Sequence, residues 1–288
     1  MGVSVPAYSR PGSLAEALEA AADGSRLVLA GGTDIYPAHV TQPIERPVLD
    51  VSRIDALRGI TIDGTGAVRI GALTTWTEIA DAAALGPAFD GLRRAARQVG
   101  GRQIQNAGTI AGNVVTASPA ADGTPNLLVL DATVELASAA RGLRRLPVAS
   151  FVAGYRTTAL APDELVTAVV VPPVPAGGGE AVRSTFHKLG SRAYLVISIV
   201  SVAALVAVEG GVVRAARVAV GACSPVPVRL EALEASLVGR PADAELAALV
   251  TAAHLDVLSP IDDIRGPAAY RLEAARTLAR RALGELVA

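Results

Sequence analysis

The chain has one cysteine, Cys223, and one lysine, Lys188. A single thiol excludes an internal disulfide framework, and it excludes any thiolate-ligated iron–sulfur cluster built within this chain. A reducing, cytoplasmic setting fits. Aromatic residues make up only 3%, and Trp76 and the tyrosines form no stacking ladder for bases. Net charge is −1, with no run of five like charges, so the cationic field that nucleic acid or a membrane surface requires is missing. The longest apolar run, Leu195 to Val208, falls short of the roughly 20 residues that span a bilayer. It is expected as buried strand or helix. Met1 to Pro6 show none of the basic, apolar and cleavage regions of a secretory signal. His39, His187 and His254 are too scattered for metal ligation and are read as structural. Cys223, in an apolar stretch, is read as a small buried hydrophobe.

What is present is apolar: 51% of 288 residues, ample for a sizeable core. Ser13-Leu14-Ala15-Glu16 reads as a capping box opening a helix that ends near Asp23-Gly24. Strands are expected at Arg26–Ala30, Val48–Val51, Ile60–Ile62, Val68–Ile70 and Thr133–Leu136. Thr74 or Thr75 would cap a helix through Ala83, and further helices are expected over Ala88–Val99 and Pro119–Leu130. The run Val171-Pro172-Pro173-Val174-Pro175-Ala176-Gly177-Gly178-Gly179-Glu180 is the clearest linker, because proline and glycine at this density suit neither a helix nor a central strand. Beyond it, Ser201–Val208 and Val212–Val220 flank Glu209-Gly210-Gly211 as a hairpin. Helical patterns follow at Val228–Val238, Asp243–Leu255 and Arg265–Leu286. Irregular interspersion of short strands and helices predicts an α+β fold. No G-x-G-x-x-G opens a helix after a strand, which disfavours a Rossmann site.

Two glycine-bearing segments carry candidate chemistry. Leu29-Ala30-Gly31-Gly32-Thr33-Asp34-Ile35 follows a strand; its glycines permit a sharp turn that brings backbone N–H groups against a bulky anion. Gly108-Thr109-Ile110-Ala111-Gly112-Asn113, continuing to Thr116, Ser118 and Asp122, offers a second loop of small residues with a dense row of neutral donors and acceptors. Asp122 would accept from a pair of ribose hydroxyls. Each segment alone also reads as an ordinary turn; two together suit a nucleotide-sized ligand.

Both segments, in this order, resemble the FAD-binding subunit or domain of the xanthine dehydrogenase and CO dehydrogenase family of molybdenum hydroxylases. The likeness runs from Tyr8-Ser9-Arg10-Pro11 through Gln103-Ile104-Gln105-Asn106 and Thr158–Leu165 to Lys188-Leu189-Gly190-Ser191-Arg192. It implies a two-part FAD-binding domain of the PCMH, vanillyl-alcohol-oxidase-like type over residues 1–176. A smaller α+β domain of the CO dehydrogenase flavoprotein C-terminal type would occupy residues 177–288. By the same resemblance Leu29, Ala30, Gly31, Gly32, Thr33, Asp34, Ile35 and Tyr36 would wrap the pyrophosphate. Thr109, Ile110, Ala111, Gly112 and Asn113 would hold phosphate and ribityl oxygens, with Gly100 close by and Thr116 and Ser118 in the same cradle. Asp122 would hold the adenosine ribose, and Leu165 or Val166 would border the adenine. Lys188 would point at the flavin carbonyl edge, where a cation raises the flavin potential, and Ile197 would pack against the isoalloxazine. Ala111 departs from the family's usual glycine, and Gln105 from its common arginine.

The resemblance implies a relay. A partner carrying the molybdenum cofactor (molybdopterin) oxidises the substrate, 2Fe-2S clusters of a small iron-sulfur subunit carry electrons singly, and the flavin hands pairs to NAD⁺ or another acceptor. The expected assembly is a dimer of heterotrimers, with no metal site and no substrate-oxidising residue in this chain. Two alternatives stand beside it: a free-standing flavin oxidoreductase of the vanillyl-alcohol-oxidase-like fold, and a non-catalytic module whose glycine segments are mere turns.

Overall fold

The computed structural model describes residues 7–174 and 181–288. The expected domain boundary at 176/177, and the linker residues around it, lie outside the described residues.

The first part holds two main sheets and a two-stranded ribbon, Val152–Gly154 with Thr157–Thr158. Tyr8–Ser9, Val48–Asp50 and Leu27–Leu29 form a three-stranded parallel sheet in that spatial order. The helix Leu14–Ala21 connects its strands, with the Ser13 hydroxyl accepting from the Glu16 N–H. The Glu16 carboxylate accepts from Gly12 rather than Ser13, so the expected capping box is shifted by one residue. The second sheet is antiparallel, in the order Ile60–Ile62, Val68–Gly71, Leu165–Val171, Thr133–Ser138, Gly142–Pro147. The first part also holds short helices: Trp76–Ala80, Asp90–Gln98, Arg102–Ala107, Ile110–Thr116 and Gly123–Val129. Thr75, not Thr74, caps the first of these through a full capping box with Glu78. That helix stops at Ala80 rather than Ala83, because Arg97 donates to the Ala80 carbonyl and Arg93 to that of Ala82.

The second part is a four-stranded antiparallel sheet, Ala181–Leu189, Val200–Glu209, Val212–Gly221 and Val228–Arg229, backed by the helices Glu231–Leu237 and Ala268–Leu286. The expected hairpin is present, with Gly210 and Gly211 at φ +58° and +77°, the left-handed pair that a tight two-residue turn requires. Phe186, Ala203, Leu205 and Ala219 join the core of the first part, alongside Leu92 and Leu127. Val202, Ala204 and Val206 face the opposite way, against Leu233, Ala279 and Leu283. The strand Val200–Glu209 is thus buried on both faces, which explains a nearly unbroken apolar run. The run begins before the strand: Leu195 and Ile197 are more than half exposed.

One expected helix is absent. Asp243–Leu255 forms two 3₁₀ segments, Ala244–Leu249 and Ala252–Leu255. Arg280 donates through Nε and Nη2 to the Val250 carbonyl at 3.1 and 2.8 Å, drawing it out of any helical ladder. Among the described residues no helix is long and apolar enough to cross a membrane.

Candidate functional site

The two glycine-bearing segments meet. A Cβ on Gly31 would collide with the Ala107 carbonyl, and one on Gly108 would lie 3.3 Å from the Thr33 hydroxyl. Only residues without side chains let these backbones approach so closely. Between them opens a cleft of about 460 Å³, lined on one side by Ala30, Gly31, Gly32, Thr33, Asp34 and Ile35. Thr109, Gly112, Asn113, Thr116 and Ser118 line the other.

The two walls differ in what they offer. The backbone N–H groups of Gly31, Gly32, Thr33 and Asp34 make no hydrogen bond among the described residues. They are free donors in a turn, a ready cradle for an oxyanion. The second segment is not the loop its small residues suggested. Thr109 caps a helix, its hydroxyl accepting from the Gly112 N–H at 3.1 Å, and Ile110–Thr116 is helical. The N–H groups of Ile110, Gly112 and Asn113 are occupied by Thr74, the Thr109 hydroxyl and the Thr109 carbonyl. The N–H groups of Thr109 and Ala111 make no hydrogen bond among the described residues, so this segment offers two amides beside its side chains. The buried Asn113 Oδ1 lacks a partner among the described residues, and such an orphan asks for a ligand or water.

The cleft continues both ways. It shares Val28, Ala30, Gly112 and Val115 with an apolar pocket of about 110 Å³ bounded by Leu57, Leu73, Ala111, Leu165 and Val166. At its other end it shares Ser118 and Ala120 with a cavity of about 580 Å³, whose walls include Tyr155, Ile197 and Ser198. Arg156, Arg265 and Arg271 line that last cavity; Asp34 pairs with the first and Asp263 with the other two, which leaves one arginine in excess. Arg271, 3% exposed, donates to the Ile199 and Ala222 carbonyls and to Asp263. Burial tends to raise the Asp263 pKa, but hydrogen bonds from Arg265 and Arg271 outweigh it and hold the carboxyl low.

Several expected residues stand elsewhere than the sequence suggested. Leu29 is buried in its strand and Ile110 lies wholly in the core, so their side chains pack rather than bind. Gly100, at φ +56°, turns the chain ahead of Ile104 and lines none of the three spaces; Val99 and Ile104 line the cleft instead. The Tyr36 ring lies over Gly32, which explains why Gly32, at φ +71°, tolerates no side chain. Asp34 lines the cleft, but its carboxylate takes both guanidinium nitrogens of Arg156, at 3.0 and 3.2 Å, and is not free to contact a phosphate.

Asp122 and Lys188, expected at separate points of the ligand, stand together. The Asp122 carboxylate pairs with Lys188 Nζ at 2.6 Å and accepts the Ser198 hydroxyl at 2.5 Å. Asp122 and Lys188 therefore share one place, whereas a ribose and a flavin edge lie at different points of an extended dinucleotide. Ser198 lines the large cavity and the neighbouring Ala120 and Ala121 line the cleft, so the pair sits opposite the apolar pocket. Burial pushes the Asp122 carboxyl above the ordinary aspartate range, opposed by the Lys188 charge and the two hydrogen bonds.

Sequence reasoning missed Trp76, Val99, Ile104 and Val115 as cleft walls and Arg156 and Arg271 beyond them. Val115 was findable: it lies three residues after Gly112 on one helix face, once the segment is read as a helix. The cysteine is buried, with its thiol pushed up to about 12, chiefly by desolvation, and takes no part.

Comparison with known proteins agrees with this architecture. The family model described as "FAD binding domain in molybdopterin dehydrogenase" matches residues 3–174, and that of the "CO dehydrogenase flavoprotein C-terminal domain" matches residues 185–286. The xanthine dehydrogenase FAD-binding subunit of Escherichia coli O157:H7 is 30% identical over 283 residues, covering 98% of this chain and 96% of that protein. The nicotinate dehydrogenase FAD-subunit of Eubacterium barkeri is 35% identical over 220 residues, covering 74% and 72%. Among solved structures, a chain of carbon monoxide dehydrogenase from Hydrogenophaga pseudoflava superposes with a TM-score of 0.85 at 27% identity, covering 98% of this chain and 97% of that one. A cleft with free turn amides, an orphaned amide oxygen and glycines that admit no Cβ fits the cofactor these relatives are named for. The chain belongs to the FAD-binding family of molybdopterin dehydrogenases, as an oxidoreductase flavoprotein subunit.

Proposed function

We propose that FAD lies along the three connected spaces, diphosphate in the central cleft, adenine in the apolar pocket and isoalloxazine towards the large cavity. The observation that carries this reading is the row of free N–H groups from Gly31 to Asp34, all four residues lining the cleft. Thr33, Thr109, Asn113, Thr116 and Ser118 would supply side-chain hydrogen bonds to phosphate and ribityl oxygens. Leu165 and Val166 would hold the adenine edge by burial. Lys188 and Ile197 would meet the isoalloxazine, the first by charge and the second by packing.

Bound FAD would supply the chemistry, taking electrons singly from a partner and releasing them in pairs. The chain's own residues bind and orient it and exclude water. The large cavity would admit the acceptor, NAD⁺ or another oxidant; its excess of arginine over acid suits an anionic molecule, and Tyr155, Ile197 and Ile261 give it an apolar rim. The partners would be an iron–sulfur small subunit and a molybdenum-cofactor large subunit in a cytoplasmic dimer of heterotrimers. Relatives named as medium chains of carbon monoxide dehydrogenases support a complex of unlike chains. Residues 1–176 would form the FAD-binding domain and 177–288 the C-terminal domain.

Anaerobic addition of NADH to the purified, FAD-loaded protein tests the acceptor reading. Bleaching of the flavin absorbance, weakened in Arg265→Ala, supports it. No bleaching, while dithionite reduces the flavin fully, would remove NAD⁺ as acceptor and leave the FAD placement standing.

A further inference from the structure

A buried ion pair joins the two parts of the chain beside the cleft. Asp122 immediately precedes the helix Gly123–Val129 of the first part, and Lys188 lies in the strand Ala181–Leu189 of the second. Both side chains are 6% exposed, and among the described residues this is the one carboxylate–cation pair with both members so deeply buried. Such a pair is a poor device for stability alone, because the desolvation of two charges offsets their attraction. The Lys188 ammonium has three donors and makes one hydrogen bond among the described residues, to Asp122. Two donors remain; Asp122 and Lys188 line neither space themselves but neighbour the junction of the two, where Ala121 lines the cleft and Ser198 the large cavity.

We propose that Asp122 is a positioning residue for Lys188, holding the ammonium beside this junction and partly neutralising it, so that bound flavin has a lower potential than a bare ammonium would give. The inference rests on the placement of Lys188 beside the flavin proposed above. A carboxylate 2.6 Å from the ammonium turns a point charge into a dipole, whose field falls off faster with distance. The Ser198 hydroxyl donates to the second carboxylate oxygen and so favours its ionised form. Reduction places negative charge on the flavin. Removing the carboxylate charge therefore favours reduction, and removing the ammonium opposes it.

The test is a dye-equilibrated redox titration of the purified, FAD-loaded chain and its variants. Asp122→Asn should favour flavin reduction by about tenfold, some 30 mV for a two-electron couple, and Asp122→Glu should restore the original value. Lys188→Met should shift the potential the opposite way. Asp122→Asn should add nothing in the Lys188→Met background, since a buried carboxyl without its cation takes up a proton and carries no charge to remove. Flavin stoichiometry checks that each variant folds, and Asp122→Ser replaces Asp122→Asn if the latter holds no flavin. An unchanged potential in Asp122→Asn alongside a lowered one in Lys188→Met overturns the inference and spares the placement of Lys188. An unchanged potential in Lys188→Met overturns both.

Discussion

The charges around the cleft divide into those that face the ligand spaces and those that only brace their walls. Asp34 illustrates the second kind: its half-exposed carboxylate is held by Arg156, itself half exposed, and pairs of that sort contribute about 0–1 kcal/mol. Glu164 is braced more firmly. It borders the apolar pocket with its side chain 2% exposed, and it accepts from Arg144 at 2.6 and 2.7 Å and from the Ala161 N–H at 2.9 Å. The Arg144 hydrogen bonds lead in holding its carboxyl below the ordinary value of 4.5, against a desolvation that would raise it. Because the folded pKa is depressed, the stabilisation is complete above the unfolded value and is lost as pH falls through the folded one. Melting temperature should thus decline on the acid side of pH 4.5, and Glu164→Gln should show a shallower decline. Parallel acid limbs for the two proteins would remove Glu164 from the account.

Elements with purely local signals were legible from sequence. The Glu209–Val212 hairpin, the strand Val68–Gly71 and the Thr75 cap each follow from residues within four positions of one another. What the sequence hid was decided at long range. The helix Ile110–Thr116 looked like a loop because Gly112 and its small neighbours have weak helix preference, yet its Thr109 cap and packing against the core secure it. Asp243–Leu255 looked helical and was broken by an arginine thirty residues onward. In the site, both cleft walls were legible as glycine-bearing segments, but the partner of Asp122 stands 66 residues away and that of Asp34 stands 122 away. No local pattern encodes such pairs. The Thr109 cap should be worth about 1 kcal/mol. Thr109→Ala should lower the urea midpoint accordingly and weaken FAD binding, because the helix start it fixes is also a cleft wall. Stability and affinity both equal to wild type would show that the cap is dispensable.

The whole molecule is joined by a core that ignores the two-part description. Phe186, Ala203, Leu205 and Ala219 belong to the second part's sheet yet pack with Leu92, Leu127 and Ile79 of the first. With this shared core and the buried Asp122–Lys188 pair across it, the two parts should unfold together. Calorimetry should show a single transition, and Phe186→Ala, emptying a site 2% exposed, should lower stability by about 3–5 kcal/mol. Two resolved transitions in the wild-type chain would mean that the parts are independent.

The shared core holds the sheets and helices from which the cleft is built, and the cleft itself depends on bare backbones meeting at Gly31 and Ala107. The most direct test is therefore the flavin content of the purified protein, read as FAD released on denaturation. The account predicts one FAD per chain in the wild type, retained in Gly12→Ala, where an added Cβ meets nothing, and lost in Gly31→Val, which forces the two walls apart. A wild-type chain unable to take up FAD, or a Gly31→Val variant that keeps it stoichiometrically, would contradict it.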